Sequence, residues 1–225
     1  MTTVLWHTMR TLYWRIRRPD EERLEAMVGP PGVWRETRAF QIQFLKRMGL
    51  KPHHRVLDVG CGPLRGGLPL ISYLDEGNYL GIDVRPEVVE EAHHQIHKND
   101  LVDKRPRVLV SMTFGREELS NAAKFDYIWC FQLLYHLDDD HVDECLAQVA
   151  RRLAPGGAGY GNINTLAARG RWKEFPFLQR PIEYYERIAN RHALRTRCLG
   201  QLDDLGYTKK ARGRFNHMLE FLREQ

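Results

Sequence analysis

Hydrophobic positions along the chain follow two successive patterns. Between residues 4 and 48 they recur every three or four positions, which predicts amphipathic helices over 4–17, 21–28 and 34–48. The run Gly29-Pro30-Pro31-Gly32 cannot continue a helix and predicts a hinge. After Pro52, short apolar runs alternate with helical periodicities, which predicts alternating strands and helices.

This alternation predicts an α/β fold. The predicted strands are Arg55–Val59, Tyr79–Asp83, Arg107–Met112, Phe125–Phe131, Ala158–Asn164, Thr196–Leu199 and His217–Leu222, and the predicted helices are Gly67–Leu74, Pro86–Lys98, Asp139–Leu153 and Ile182–Ala193. Such an order favours a doubly wound, mostly parallel sheet covered on both faces. The last two strands lack a helix long enough for a parallel crossover, so we expect an antiparallel hairpin at the sheet edge.

Composition narrows the class of protein. The chain has 225 residues, of which 43% are hydrophobic, enough for one domain with a real core. Its four cysteines lie far apart without metal-binding or disulfide spacing, which favours a reducing, cytoplasmic setting. The apolar runs are too short for a transmembrane helix, and the basic N-terminus does not have the pattern of a cleavable signal peptide. A formal charge of +5 permits an anionic partner without requiring one.

The segment after the first predicted strand carries the clearest chemistry. Gly60-Cys61-Gly62 leads from that strand into a helix, and glycines there let a ligand approach the backbone closely. Asp83 ends the second strand, where a carboxylate can accept hydrogen bonds from both ribose hydroxyls. Arg65 stands where a dinucleotide fingerprint has its third glycine, which disfavours NAD, and no P-loop lysine follows. A nucleotide-like ligand is therefore expected.

These residues resemble the class I S-adenosylmethionine-dependent methyltransferases, and within them most closely the bacterial small-molecule enzymes. The resemblance lies in four motifs in order: Leu57-Asp58-Val59-Gly60-Cys61-Gly62, Leu80-Gly81-Ile82-Asp83, Phe125-Asp126-Tyr127-Ile128, and the turn from Leu153 to Gly157. It implies a seven-strand sheet whose last strand is antiparallel. It also implies S-adenosylmethionine as cofactor and S-adenosylhomocysteine as product.

The resemblance further implies roles for the cofactor residues. The backbone of Gly60, Cys61 and Gly62 would hold the methionine moiety, and Asp83 the ribose. Asp58 would act through a bridging water or by holding the loop, and Arg65 either pairs with the cofactor carboxylate or is an ordinary surface arginine.

Two further parts of the cofactor site follow from the same resemblance. Where the family has an acidic or polar residue to bind adenine, this chain has Ser111-Met112-Thr113-Phe114. Thr113 is the hydrogen-bonding candidate there, with Met112 and Phe114 as apolar walls. Gln132, at the end of the fourth strand, is assigned to the cofactor as well, although packing is an equal alternative.

The same edge of the sheet holds the candidate for proton transfer. Methyl transfer is an in-line displacement, so positioning matters most and a base is needed chiefly for hydroxyl acceptors. His136 is the candidate base, because a neutral imidazole accepts a proton near pH 7; its alternative role is to tie the loop to the next helix. Tyr135, Asn162 and Asn164 are candidate substrate residues. His93 and His97 have metal-ligand spacing but no third ligand, so no metal is expected.

Two segments exceed what the minimal fold needs. We expect residues 1–50 to form a helical cap and substrate lid, with Trp34 and Arg38 as substrate residues, and residues 51–225 to form the cofactor-binding domain. The stretch 166–180 is also rich in aromatic and basic side chains. A lid of this composition suits an apolar or acidic organic acceptor.

The sequence thus predicts an enzyme that methylates an oxygen or nitrogen of a small organic acceptor. An RNA or protein methyltransferase is the alternative that the basic run 209–214 supports, although the fourth strand does not end in the motif of enzymes acting on base amino groups, which makes a nucleic acid partner unlikely. A membrane-associated, non-catalytic cofactor-binding regulator is the alternative that the amphipathic segment 4–17 supports. RNA retention and liposome co-sedimentation discriminate between these. The sequence does not determine the oligomeric state.

Overall fold

Two helices precede the sheet in the computed structural model, which describes residues 20–29, 32–165, 169–172, 174–207 and 215–224. The first, α1, covers residues 20–28, and the second, α2, covers Trp34–Arg47. The predicted helix over 4–17 and the basic run 209–214 lie outside the described residues.

The remaining elements follow the predicted alternation. The strands are β1 (Val56–Val59), β2 (Tyr79–Asp83), β3 (Arg107–Val110), β4 (Phe125–Cys130), β5 (Leu153–Asn164), β6 (Arg169–Trp172), β7 (Phe175–Leu178), β8 (Leu194–Gln201) and β9 (Asn216–Arg223). The helices are α3 (Gly67–Tyr73), α4 (Pro86–Lys98), α5 (Asp139–Arg152) and α6 (Ile182–Arg191), with 3-10 turns at Val102–Lys104 and Leu134–His136.

Seven strands form one sheet in the order β3-β2-β1-β4-β5-β9-β8. The first five pair in parallel, and β9 pairs antiparallel with both β5 and β8. This confirms the doubly wound fold and the antiparallel last strand. Because β9 inserts between β5 and β8, the antiparallel edge of the sheet is β8, and the opposite edge is β3.

The largest differences from the prediction concern β5 and the stretch 166–180, while the other described strands and helices differ by at most two residues at their ends. Strand β5 begins at Leu153 instead of Ala158, because Leu153 already pairs with Phe125 before an irregularity in the ladder. The stretch 166–180 contains a hairpin of β6 and β7 for which the sequence pattern gave no strands. Gly170 and Pro176 lie inside these strands, and both residue types weaken a strand pattern.

The core lies on both faces of the sheet, which explains why β1 is buried at every position. On one face Phe44 of α2 packs against Trp129 with ring centroids 5.6 Å apart. On the other face Leu146 of α5 and Tyr185 of α6 belong to one cluster with Ile128. None of the helices in the described ranges is both long and apolar enough to span a bilayer.

A buried carboxylate joins α1 to α2. Glu25 accepts hydrogen bonds from the backbone N–H groups of Gly32, Val33 and Trp34, at 2.8, 2.8 and 2.5 Å. Trp34 is the first residue of α2, Val33 is its N-cap and Gly32 precedes the cap, and the helix has no side-chain cap from Val33 itself. Glu25 therefore fixes the angle between the helices and sets the end of α1 against the loop that follows β1.

Glu25→Ala should lower the free energy of unfolding by about 2–4 kcal/mol, because it removes the acceptor of three backbone N–H groups, of which that of Trp34 is buried. Urea denaturation measures the change. Glu22→Ala, on an exposed position of α1, is the control and should change stability by less than about 0.5 kcal/mol. Equal stability of the two variants would contradict the capping role of Glu25.

Candidate active site

A cleft of about 290 Å³ opens at the carboxyl ends of the parallel strands. It lies where the strand order reverses between β1 and β4, the position at which open α/β sheets bind ligands. Its walls come from the loops after β1, β2, β3 and β4, from the end of α1, from α2, and from β7. Elements between residues 28 and 176 therefore meet at one site.

The loop after β1 is held against the end of β2. The N–H groups of Gly60 and Cys61 donate to the carbonyl of Ile82, at 2.8 and 3.0 Å. Gly60 and Gly62 have φ of +73° and +57°, a region that favours glycine. A Cβ at Gly62 would also lie 2.9 Å from Val28, so the end of α1 needs glycine there to pack on the loop.

Asp83 connects this loop to β2 through its side chain. One carboxylate oxygen accepts from the Gly62 N–H at 3.1 Å, and the other accepts from the Arg85 N–H at 3.1 Å and from Arg85 Nε at 3.4 Å. The side chain is buried yet lines the cleft. A carboxylate has about four acceptor positions, so Asp83 retains capacity for a ligand hydroxyl.

Asp58 lies below the loop and is held by a residue that the sequence analysis did not assign. The Tyr79 hydroxyl donates to Asp58 Oδ2 at 2.8 Å. Burial, with a smaller contribution from the charge of Asp83, raises the pKa of Asp58 to about 7 against the opposing hydrogen bond from Tyr79. Burial also raises the pKa of the Cys61 thiol, so Cys61 offers the cleft a neutral thiol and its backbone.

Arg65, which is buried, and Gln132, which is half-buried, form a polar pair on the far side of the cleft. Arg65 Nη2 donates to Gln132 Oε1 at 2.6 Å, and Gln132 Nε2 donates to the Tyr207 hydroxyl at 3.1 Å. The Tyr207 hydroxyl lies 3.0 Å from Thr37 Oγ1 on α2. Burial lowers the pKa of Arg65, and no carboxylate forms an ion pair with it in the described ranges.

The backbone at Gln132 is strained. Its φ is +56°, uncommon for a residue other than glycine. The Gln132 N–H donates to Asn162 Oδ1 at 2.5 Å, which holds this conformation. Strain of this kind costs about 1–3 kcal/mol and clusters at functional sites, which fits the position of Gln132 in the cleft wall.

His136 lies where the hairpin meets the cleft. Its Nδ1 is 2.9 Å from the carbonyl oxygen of Pro176, and since a carbonyl only accepts, Nδ1 carries the proton and Nε2 is the basic nitrogen. Burial lowers the pKa of His136, so the ring is neutral near pH 7. Arg180 donates to the carbonyl of Leu137 at 3.0 Å and to Asp139 at 2.7 Å, which fastens the far end of the hairpin to this loop.

The loop after β3 forms the opposite end of the cleft. Ser111, Met112 and Phe114 line it, and Met112 is 73% exposed. The Ser111 and Thr113 hydroxyls donate to Glu118, at 2.7 and 3.3 Å. Glu118, which the sequence analysis did not assign, is thus the acidic residue at this end.

The structure brings most of the predicted cofactor residues together and leaves other candidates outside the cleft. The predicted residues that line it are Asp58, Gly60, Cys61, Gly62, Arg65, Asp83, Phe114, Gln132 and His136, and those that do not are Trp34, Arg38, Thr113, Tyr135, Asn162 and Asn164. Trp34 is buried with Arg38 over its ring at 5.5 Å. Tyr135 is buried and hydrogen-bonded to Asn162. No group of three or more potential metal ligands occurs in the part of the chain that the structure describes.

Several lining residues were not assigned by the sequence analysis, among them the polar residues Gln41 and Arg85. Gln41 lies on α2 and Arg85 directly follows β2. Helical periodicity marks Gln41 only as one more position of an amphipathic helix. Arg85 follows the ribose candidate Asp83 by two residues, and this closeness in sequence could have predicted that Arg85 lines the cleft.

The central part of the chain is similar to known methyltransferases. Residues 56–157 match a family model described as a methyltransferase domain. An uncharacterized methyltransferase of Schizosaccharomyces pombe is 27% identical over 138 residues, which are 60% of this chain and 48% of that protein. A ubiquinone biosynthesis O-methyltransferase of Hydrogenovibrio crunogenus is 27% identical over 130 residues, 57% of this chain and 50% of that protein. The chain spans about half the length of these two relatives.

Solved structures share the fold at lower identity. The magnesium protoporphyrin IX methyltransferase of Synechocystis, solved with bound S-adenosylhomocysteine, has a TM-score of 0.66 at 16% identity and covers 97% of this chain and 100% of its own. An S-adenosylmethionine-dependent methyltransferase of Clostridium acetobutylicum has a TM-score of 0.65 at 15% identity, covering 98% of this chain and 100% of its own.

The family match covers the strands and loops that build most of the cleft, and the structural similarity extends over nearly the whole chain. Residues 56–157 therefore match the model of a methyltransferase domain, and the chain has the fold of the class I S-adenosylmethionine-dependent methyltransferases.

Proposed function

We propose that this protein transfers a methyl group from S-adenosylmethionine to an oxygen or nitrogen of a small organic acceptor. The observation that carries the proposal is the cleft in which a glycine loop and the Asp83 carboxylate face the same space at the switch point of the sheet. The family match and the fold support the same reaction class.

The cleft has donors and acceptors that suit each part of the cofactor. Asp83 would accept hydrogen bonds from the ribose hydroxyls, and the backbone of Gly60, Cys61 and Gly62 would border the methionine moiety. Asp58, held by Tyr79, would keep the loop in place. Phe114 and Met112 would cover the adenine. Thr113, whose hydroxyl donates to Glu118, would lie close to it.

The protein's part in catalysis would be chiefly to hold and orient. When bound, S-adenosylmethionine supplies an electrophilic methyl group on a positively charged sulfur. Gln132, whose backbone N–H is held by Asn162, would lie next to the cofactor. His136 would accept the proton of a hydroxyl acceptor at Nε2. The 3-10 turn and the hairpin over His136 would reduce access of water.

The acceptor is proposed to be a small molecule. A similar chain from Hydrogenovibrio is named a ubiquinone biosynthesis O-methyltransferase, which supports this proposal. Residues 1–50 would act as cap and lid over a domain of residues 51–225. Trp34 and Arg38 would belong to the lid, and Tyr135, Asn162 and Asn164 would support the acceptor side. The end of α1, which packs on Gly62, supports this lid.

We also propose that the protein works in a reducing cytoplasm. The buried free cysteines Cys61, Cys130 and Cys145 support this setting.

Asp83→Asn should weaken S-adenosylhomocysteine binding about 100-fold, because two hydrogen bonds to a charged acceptor lose strength and one acceptor oxygen is gone. Calorimetric titration measures the affinity, with NAD as a ligand that should not bind. Asp75→Asn, at an exposed position, is the matched control. Retained affinity in a folded Asp83→Asn protein would refute the ribose assignment, and no binding by the wild type would refute the proposed cofactor.

His136→Asn should lower kcat for a hydroxyl acceptor about 100-fold or more while S-adenosylhomocysteine affinity stays within about threefold. Asparagine can still donate to Pro176 but has no basic nitrogen. Since the pKa of His136 is lowered, wild-type kcat should fall only below about pH 6.5, as the ring becomes protonated, and this limb should disappear in the variant.

The readout is S-adenosylhomocysteine formation with a hydroxyl acceptor found by screening. His93→Asn, on the exposed side of α4, is the control. An unchanged kcat and pH profile in His136→Asn would remove the base from the mechanism and leave His136 as a residue that ties the hairpin to the loop.

A further inference from the structure

We propose that Arg85 is a positioning residue for methyl transfer, which links the Asp83 carboxylate to the hairpin of β6 and β7 and so sets His136 for the acceptor when the cofactor is bound. This inference rests on the proposed function. Its consequence is an order of binding, because the cofactor binds first and the acceptor then meets a base that is already in place.

Arg85 stands at a position where an arginine is locally unfavourable. It is the N-cap residue of α4, and its side chain makes no capping hydrogen bond. Serine, threonine, aspartate and asparagine are preferred there, and the positive end of the helix dipole disfavours a cation. The Arg85 side chain is nevertheless only 13% exposed. Such a local conflict is typical of functional sites and indicates that the guanidinium is used for contacts elsewhere.

The guanidinium contacts three elements at once. Its Nε donates to Asp83 Oδ1 on β2 at 3.4 Å, and its Nη1 donates to the carbonyl of Met27 on α1 at 2.9 Å. Its Cζ lies 5.5 Å from the ring centroid of Phe175, the first residue of β7. A planar guanidinium can donate at its edge while its face lies on an aromatic ring. One side chain therefore joins the ribose candidate to the end of α1 and to the hairpin.

The same hairpin holds the candidate base. The carbonyl oxygen of Pro176, next to Phe175 in the chain, accepts from His136 Nδ1 at 2.9 Å. The rings of Phe175 and Phe177 lie 6.4 and 5.5 Å from the imidazole. Because these contacts fix the imidazole, a shift of the hairpin moves His136, and Arg85 is the contact that ties the hairpin to the end of β2.

Asp83 connects this contact to the cofactor. Its Oδ1 accepts from Arg85 and its Oδ2 accepts from Gly62, which leaves acceptor positions on both oxygens for ribose hydroxyls. A carboxylate fixed by the ribose holds the guanidinium against Phe175. By linkage, the arrangement that places the hairpin on Arg85 is also the one that binds the ribose better.

Arg85 also acts on His136 by its charge. Burial lowers the pKa of His136, the hydrogen bond to Pro176 opposes this, and the positive charge of Arg85 lowers the pKa further. Other titratable groups on the surrounding elements are Tyr135, Asp138 and His141 near it in the chain, Asp83 on β2, Arg180 after β7, and the exposed Arg171 and Glu174 of the hairpin. Removal of the Arg85 charge should therefore raise the pKa of His136.

Hydrogen exchange with and without saturating S-adenosylhomocysteine tests the link in the full chain. In the wild type this compound should slow the exchange of the β6 and β7 amides about 10-fold or more. Arg85→Met removes the guanidinium but keeps a long side chain. It should bind the compound within about fivefold of the wild type in a calorimetric titration, yet the hairpin should exchange within about threefold of its ligand-free rate. Arg195→Met, on an exposed position of β8, is the matched control and should behave as the wild type.

Full protection of the hairpin in Arg85→Met would overturn the role of Arg85, because the hairpin would then respond to the ligand without it. A wild-type hairpin that gains no protection from bound ligand would overturn the inference and leave the proposed function intact. Failure of the wild type to bind the compound would overturn the proposed function itself. Should Arg85→Met fail to fold, Phe175→Leu, which removes the ring and leaves the contact of Arg85 with Asp83, should also abolish the protection.

A kinetic measurement separates this role from a merely structural one. With the hydroxyl acceptor found by screening, Arg85→Met should lower kcat about 10-fold, because His136 is no longer held in place. The acidic limb of its kcat profile should move to higher pH, since His136 loses a nearby positive charge and is protonated more easily. Arg85→Lys, which keeps the charge, should retain the wild-type limb. An acidic limb that stays in place in Arg85→Met would contradict the assignment.

Discussion

The attachment of the glycine loop to the end of β2 is the constraint on which the site depends. The carbonyl of Ile82 and the carboxylate of Asp83 together accept hydrogen bonds from Gly60, Cys61 and Gly62. The bonds from Gly60 and Cys61 to Ile82 join backbone to backbone, so this part of the loop is held without side chains, and the Asp83 side chain adds the contact to Gly62. It also places Asp83 at the edge of the cleft while Arg85 holds its other oxygen.

Other elements of the protein pack around this loop on several sides. From the N-terminal side Val28 covers Gly62, in a position that Glu25 sets by capping α2. From below, Tyr79 holds Asp58. The site is thus a point where α1, α2, β2 and the hairpin meet, and residues outside the family match contribute to it.

Much of the fold follows from the sequence because its patterns are local. Apolar runs and glycine turns predict the parallel strands, and the short connection before β9 predicts the antiparallel end. Gln41 and Glu25 are different, because their partners are not part of the local pattern: Gln41 accepts from Trp129, and Glu25 accepts from Val33, eight residues further along the chain. Asn162 likewise looks like a candidate for substrate contact on its strand, whereas the structure uses it to hold the backbone of Gln132.

A crystal structure of the protein with S-adenosylhomocysteine tests the central claim most directly. The account predicts the ribose hydroxyls within about 3.2 Å of the Asp83 carboxylate oxygens and the amino acid portion beside Gly60, Cys61 and Gly62. A ribose bound away from Asp83, or a ligand outside the cleft between β1 and β4, would contradict it.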